Sequence, residues 1–330
     1  MIIALDAVGG DRAPAEVVRG AVNAARELGI EVALVGPPDA IDAELRKSPH
    51  PVAGVSIVPA REQIEMDESP LEAVRRKRES SIAVGIELVK SGRAQAFVSA
   101  GNTGAVMAAA TLLLGRLPQI ERPALGAVMP VKDGARVLLL DAGATADCRP
   151  SQLVQFAQMG QAYVREVLAV AEPRVGLISI GEEDSKGNQL VVDANQRLRR
   201  LSSINFAGNI ESKDVAGGAI DVAVTDGFTG NIILKAAEGT ADYIVHELRL
   251  ALTARPHYQL AAAMLRPAFA QLRRRLDYAE YGGAPLLGVR GLVLIAHGRS
   301  DARAITSALR AARDAAAVDV VGSLTGAVND

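Results

Sequence analysis

Between Arg93 and Arg116 the chain carries no charge: A-Q-A-F-V-S-A-G-N-T-G-A-V-M-A-A-A-T-L-L-L-G runs from Ala94 to Gly115. A run of that length falls within the roughly 17–25 residues that cross a bilayer as a helix. Its middle argues against one. Gly101, Asn102 and Gly104 fall together there, and each glycine weakens a continuous helix by about 1 kcal/mol relative to alanine. The same residues suit a turn, because glycine tolerates positive φ and Asn or Thr caps a helix start. The stretch therefore reads as a strand (A-F-V-S), a turn (A-G-N-T-G) and a buried helix (A-V-M-A-A-A-T-L-L-L).

That unit recurs along the chain. Apolar runs stand at Ile2 to Leu5, Glu31 to Val35, Gly54 to Val58, Ala96 to Ser99, Ala124 to Met129, Arg136 to Leu140, Val175 to Ile180, Ser203 to Phe206, Val222 to Val224 and Leu292 to Ile295. Segments with helical spacing lie between many of them, as at Ala15 to Leu28 and Leu153 to Val170. Strands alternating with helices predict an α/β architecture with parallel pairing and covered sheet faces. At 330 residues the chain exceeds the roughly 100–200 of an ordinary domain. With no linker or repeat in view, it is expected to be one unit over 1–330, built of two interleaved α/β lobes with a cleft between them.

Composition narrows the function classes. Hydrophobic residues make up 49% and charged ones 22%, the balance of a soluble globular protein. A net charge of −2 gives no support to a nucleic-acid partner. One cysteine forbids an internal disulfide. The opening M-I-I-A-L-D has no basic n-region, which argues against a signal peptide and for a cytoplasmic protein.

Ligands of open α/β sheets bind beyond the carboxyl ends of the strands. Four polar, glycine-bearing turns follow strands here: Asp6 with Gly9, Gly10 and Asp11; Gly101 to Gly104 with Asn102 and Thr103; the Asp141 loop; and Asp226 with Gly227, Gly230 and Asn231. If they share one edge, they line one cleft. A helix N-terminus can hold an anion through unpaired N–H groups and its dipole; each turn taken alone reads equally well as a tight turn. G-E-E-D-S-K-G-N sets Lys186 among Glu182, Glu183 and Asp184, either a solvated loop or a lysine aimed by carboxylates at an oxyanion or phosphate. Y-G-G-A-P-L-L-G-V-R-G carries Gly282 and Gly283 to a channel wall or merely connects a helix to a strand, and His297 in I-A-H-G-R-S either faces the cleft or caps locally.

Several common sites are missing from the sequence. There is no G-x-G-x-x-G after a strand, no P-loop, no C-x-x-C and no G-x-S-x-G, and the four histidines show no metal spacing. No cofactor or metal is expected. Cys148 in A-D-C-R-P reads as an ordinary thiol before an acyl-accepting nucleophile.

Taken in order, D-A-V-G-G-D, S-A-G-N-T-G-A, G-E-E-D-S-K-G-N, D-G-F-T-G-N, Y-G-G-A-P-L-L-G and A-H-G-R-S cover nearly the whole chain. Together they resemble the bacterial phosphate acyltransferases that make acyl-phosphate for phospholipid synthesis. The resemblance implies transfer of a fatty acyl group from the thioester of acyl carrier protein to inorganic phosphate, ahead of glycerol-phosphate acylation. It implies the fold of isocitrate and isopropylmalate dehydrogenases and of phosphotransacetylase, a three-layer parallel or mixed sheet with a protruding helical segment at about 245–280. It also implies a homodimer, peripheral membrane association and contact with the downstream glycerol-phosphate acyltransferase. Lys186 and Asn231 are carried over as the central pair. Val8, Arg12 and Thr145 stand where the family usually has Met, His and Asn, which bears on the phosphate and acyl pockets and not on the reaction class.

Phosphate is already a nucleophile and a thiolate a good leaving group, so positioning and oxyanion stabilisation suffice. Phe269, Leu272 and Leu276 share one helix face, with Arg273, Arg274 and Arg275 turned elsewhere. This face suits an anionic membrane surface or a dimer contact. Arg75, Arg76, Lys77 and Arg78 follow S-P-L-E, a capping-box pattern at Ser69, on a helix that either docks an acidic carrier or faces solvent. Two other functions compete: an NAD-dependent dehydrogenase of the same fold, and a non-catalytic acyl-carrier-binding module.

Overall fold

The structure is a computed structural model that describes residues 1–49, 52–269 and 282–329. Among the described residues eleven strands form one sheet: β1 (Ile2–Asp6), β2 (Glu31–Gly36), β3 (Val55–Pro59), β4 (Ala96–Ser99), β5 (Ala124–Pro130), β6 (Arg136–Leu140), β7 (Val175–Ile178), β8 (Phe206–Ile210), β9 (Val222–Val224), β10 (Ala284–Leu287) and β11 (Leu292–Ile295). Their order is β3-β2-β1-β4-β11-β10-β5-β6-β9-β7-β8. The uncharged stretch becomes β4, a turn, the helix Thr103–Ala109 and one wider helical turn, Ala110–Leu114. Among the described residues no helix is long and apolar enough to cross a membrane.

Strand direction corrects the expectation of a single binding edge. β3, β2, β1, β4 and β11 pair in parallel, and so do β6, β9, β7 and β8. Between these blocks β10 is antiparallel to both β11 and β5, and β5 is antiparallel to β6. The blocks therefore run in opposite directions, and the turns after β1, β4 and β11 leave the sheet on the side away from those after β6, β7 and β9. Stagger brings the two sets together again. Ile295 pairs with Ala284, Leu286 with Leu125, and Gly126 with Leu140, so the ends of β11 and β6 both reach the short β10–β5 junction.

Side-chain alternation covers both faces. On one, Ile3, Leu5, Leu138 and Leu294 join the helices Ala15–Leu28, Pro150–Val167 and Ala302–Ala317 in a continuous core. On the other the core is divided. One cluster gathers Phe97 and Val293 under the helices Pro70–Arg76, Ser81–Lys90 and Thr103–Ala109. A smaller one gathers Leu139, Ile178 and Ala223 with Ile233 and Leu234. The boundary between these clusters runs along β5, between Leu125 of the one and Ala127 of the other.

Three further differences from the sequence reading have local causes. The expected strand Ser203–Phe206 is displaced to Phe206–Ile210, because Gln161 holds the backbone on both sides of Ile204, accepting from Asn205 N at 3.0 Å and donating to Ser203 O at 2.8 Å. β7 stops at Ile178, and Ile180 is 79% exposed. Ser69 makes no side-chain cap bond at the start of its helix. The protruding segment comprises the helices Gly227–Thr253 and Pro256–Met264; only Gly227 and Gly230 of the first are buried. Of the apolar face expected further on, Phe269 is described, whereas Leu272, Leu276 and Arg273 to Arg275 lie outside the described residues.

Candidate active site

The Asp141 loop is held from within. The Asp141 carboxylate, fully buried at the end of β6, accepts from the backbone N–H groups of Leu125, Gly143, Ala144 and Thr145 at 2.7–3.0 Å. Burial pushes its pKa up, and the backbone donors pull the other way. Against this loop rests the start of the helix Gly227–Thr253, capped by Asp226, whose carboxylate accepts from Thr229 N and Thr229 Oγ1 at 2.8 Å each. The approach leaves no room for side chains. A Cβ at Gly227 would lie 2.7 Å from Asp141 Oδ2, and one at Gly230 would strike the Asp141 carbonyl oxygen. These glycines exist so that a helix start can touch a loop backbone, and the helix then projects Asn231 past it.

A related brace holds the other block. Asp6, buried at the end of β1, accepts from Ser99 Oγ at 2.7 Å, and Ser99 Oγ accepts from Gly101 N at 3.0 Å. Burial raises its pKa against the opposing hydroxyl and amide donors. A side chain at Gly9 would collide with Asp6 and with Gly101 N, while Asp11 N donates to Gly298 O at 2.8 Å and Gly10 approaches the same carbonyl. Asn102 caps the helix Thr103–Ala109 through Ala105 N at 3.0 Å and donates to the carbonyls of Glu65, Met66 and Glu68 at 3.1–3.2 Å. Gly104 gives way to Pro70. The Asp6-to-Asp11 turn and Asn102 thus support the loops that reach the ligand side.

Those loops meet in a cavity of about 190 Å³ at the boundary between the two core clusters. Its walls are mostly apolar, from Leu125, Ala127, Leu234 and Ile295, with the backbone of Gly282 and Gly283 on one side. Polar groups enter at Thr103, Asn231, Lys235, Glu238, His297 and Ser300. Asn231, Lys235 and Glu238 fall at i, i+4 and i+7 on one helix face. Lys235 Nζ lies 2.9 Å from Glu238 Oε2, and Glu238 Oε1 has no partner among the described residues. The Ser300 hydroxyl is likewise buried without a partner among them. His297 Nδ1 accepts from Arg299 N at 3.1 Å, which leaves the proton of a neutral ring on Nε2. Burial, then the nearby Lys235 charge, hold its pKa below the usual 6.5, so the ring is neutral near pH 7.

Of the residues expected from sequence, Thr103, Asn231, Gly282, Gly283 and His297 line this cavity, and Lys186 does not. Its loop follows β7 on the same edge as the Asp226 turn, since Leu177 pairs with Val224. Asp184 on that loop pairs with Arg199 and takes Asn195 Nδ2 at 3.2 Å, and Asn209 Nδ2 donates to Glu183 O at 2.9 Å. The Asp184 carboxylate and the Glu183 carbonyl are therefore taken up by the loop's own anchoring, and Lys186 is exposed. Reading the D-G-F-T-G-N helix one and two turns onward would have found Lys235 and Glu238; Ser300 lies inside A-H-G-R-S, but its unpartnered hydroxyl has no sequence signal.

Two groups outside the cavity were also candidates for chemistry. Cys148 donates to Thr145 O at 3.4 Å, and burial followed by the Asp141 charge pushes its thiol up to about 12, unsuited to nucleophilic attack near pH 7. Glu182, Glu211 and Asp214 stand close enough to hold a metal ion, but they lie beyond β7 and β8 at the surface, and Lys213 pairs with Glu211.

Residues 1–322 match the family model described as fatty acid synthesis protein. The chain is 53% identical to the phosphate acyltransferase of Nostoc punctiforme over 95% of its own length and 92% of the relative's. It is 51% identical to that of Myxococcus xanthus over 98% and 93%. The chain belongs to the phosphate acyltransferase family. It is an acyltransferase of lipid synthesis. Solved structures of similar fold include a phosphotransacetylase from Streptococcus pyogenes, with a TM-score of 0.64 and 16% identity over 100% of this chain and 94% of that one. A branched-chain phosphotransacylase from Enterococcus faecalis has a TM-score of 0.59 and 14% identity over 96% and 99%. The chain thus has the mixed α/β fold seen in these phosphotransacetylases.

Proposed function

We propose that the cavity at the β10–β5 junction transfers a fatty acyl group from the thioester of acyl carrier protein to inorganic phosphate, yielding acyl-phosphate for glycerol-phosphate acylation. The observation that carries this reading is that the Asn231 amide, the Lys235 ammonium, the His297 ring and the Ser300 hydroxyl all line one mostly apolar pocket, with Glu238 paired to Lys235. Phosphate is held where Lys235 and Ser300 supply charge and a donor. One of its oxygens attacks the thioester carbon; Asn231 donates to the oxyanion that forms, and collapse breaks the C–S bond. The proton of hydrogen phosphate passes to the leaving thiolate, so no protein nucleophile is needed. Lys186, one of the central pair that the resemblance implies, sits on the loop after β7 outside the cavity lining, and in this reading its flexible side chain reaches the anion only once substrate is bound.

The two blocks of the sheet act as lobes on either side of this cleft. The exposed apolar side chains of the protruding helices, with Tyr243 64%, Leu260 69% and Met264 79% exposed, suit a homodimer contact and a peripheral membrane surface beside the downstream acyltransferase, in a cytoplasmic protein. The test is thiol release from a long-chain acyl carrier protein with and without inorganic phosphate, trapping product with hydroxylamine. Phosphate-dependent release that yields hydroxamate and collapses in Lys186→Ala is expected. Release indifferent to phosphate would sink the reading.

A further inference from the structure

Beside the apolar cavity lies a second, larger one of about 850 Å³, whose walls include Arg116, Arg122 and Arg149. The two share their walls in sequence. Ala142 and Gly143 line the first and Ala144 and Thr145 the second, on one loop. On β10 Ala284 faces the first and Leu286 the second, two positions apart and so on one face of the sheet. Leu125 of β5 and Pro123 just before it divide in the same way. So do Thr103 and Met107, about one helical turn apart. Loop, strands and helix all pass from one cavity to the other, which makes them two ends of one groove.

The far end is built for an anion. Arg116 is held in place by donating to the carbonyls of Ile120 and Glu121. Arg122 and Arg149 are exposed and make no ion pair among the described residues. Two acids share the lining, Glu121, which accepts from Gln152 Nε2 at 3.2 Å, and Asp147; the three arginines outnumber them, so the cavity keeps a net positive charge. Guanidinium groups match phosphate oxygens with paired donors, which a point charge does not. Between the arginines and Asn231 the floor is neutral and apolar, from Pro123, Leu125 and Leu286.

We propose that the arginine end binds the phosphate ester of a phosphopantetheine-type arm, so that the arm lies along β5 and β10 and its thioester reaches Asn231. This rests on the acyl-thioester reading above and adds the part of the donor that is recognised. Carrier protein and coenzyme A share that chemistry, and the test separates them.

The experiment measures kcat/KM for acyl carrier protein, acyl-coenzyme A and acyl-pantetheine, the last lacking the phosphate, in wild type and in Arg122→Ala/Arg149→Ala. The ratio of either phosphorylated donor to acyl-pantetheine is expected to fall at least about tenfold in the variant, through KM, the scale of losing one charge-assisted bond. A fall for both phosphorylated donors would assign the site to the shared phosphate ester; a fall for the carrier alone would place the arginines against the carrier protein itself and overturn the proposal. An unchanged ratio overturns the proposal. Arg122→Gln is measured in parallel and substitutes if the double variant melts early. Should wild type turn over none of the donors, the parent reading has failed; calorimetry of coenzyme A against pantetheine then tests the arginine end by itself, and equal affinity overturns it.

Discussion

Two asparagines beside Gly-Thr turns face opposite fates. Asn102, in G-N-T-G, is nearly buried and commits its whole amide to protein: one helix N–H and three loop carbonyls. Asn231, in T-G-N, sits one turn inside its helix, where Asp226 already does the capping, and its side chain lines the cavity without a hydrogen bond among the described residues. Moving the cap to an aspartate is what frees the second asparagine for a ligand. The turns look alike in sequence, and which residue caps decides which is structural.

The comparison can be broken by experiment. Asn231→Ala removes the proposed oxyanion donor and nothing the fold uses, so kcat is expected to fall by about 10²-fold or more while thermal unfolding matches wild type; a matched loss of stability would place Asn231 with Asn102. Gly230→Ala drives a methyl into the Asp141 carbonyl and is expected to destabilise by about 1–3 kcal/mol in denaturant titrations, with activity lost because the helix carrying Asn231 is pushed away. Asn102→Ala forfeits a cap and three carbonyl partners, worth about 1–2 kcal/mol, and should lower the denaturation midpoint more than it lowers kcat.

The smallest effect concerns protonation. His297 has its folded pKa depressed below 6.5, so below that pH the unfolded chain takes the proton first and stability is lost as pH falls toward the folded value. An NMR titration of His297 should show a midpoint under 6.5, moving up in Lys235→Met. A midpoint at or above 6.5 would mean that neither burial nor Lys235 depresses this group.

Much of this was legible beforehand, and the failures have causes. β1, β2 and β6 read clearly because branched apolar runs end at Asp or Gly, where the sheet stops. β10 did not, because Pro285 sits in mid-sheet opposite Leu294, where a residue without an N–H argues against a strand. Phe206–Ile210 was misplaced because Gly208 and Asn209 are poor strand formers. The opposed direction of the two blocks was invisible, since apolar patterns do not encode polarity. At the site, the glycine turns announced themselves, but their contact with Asp141 and Asp6 is tertiary, and only that contact distinguishes a brace from a binding loop.

β10 and β11 lie between β4 and β5 in the sheet, although roughly half the chain separates them from those strands in sequence. A chain leaving the ribosome N-terminus first therefore displays two bare strand edges throughout most of its synthesis, and neither block can be sealed to the other until residues beyond Ile295 emerge. The last strands made are the central ones. Clipping the C-terminal region would open this protein down the middle, and the cavity proposed for catalysis, which lies along that seam, would go with it.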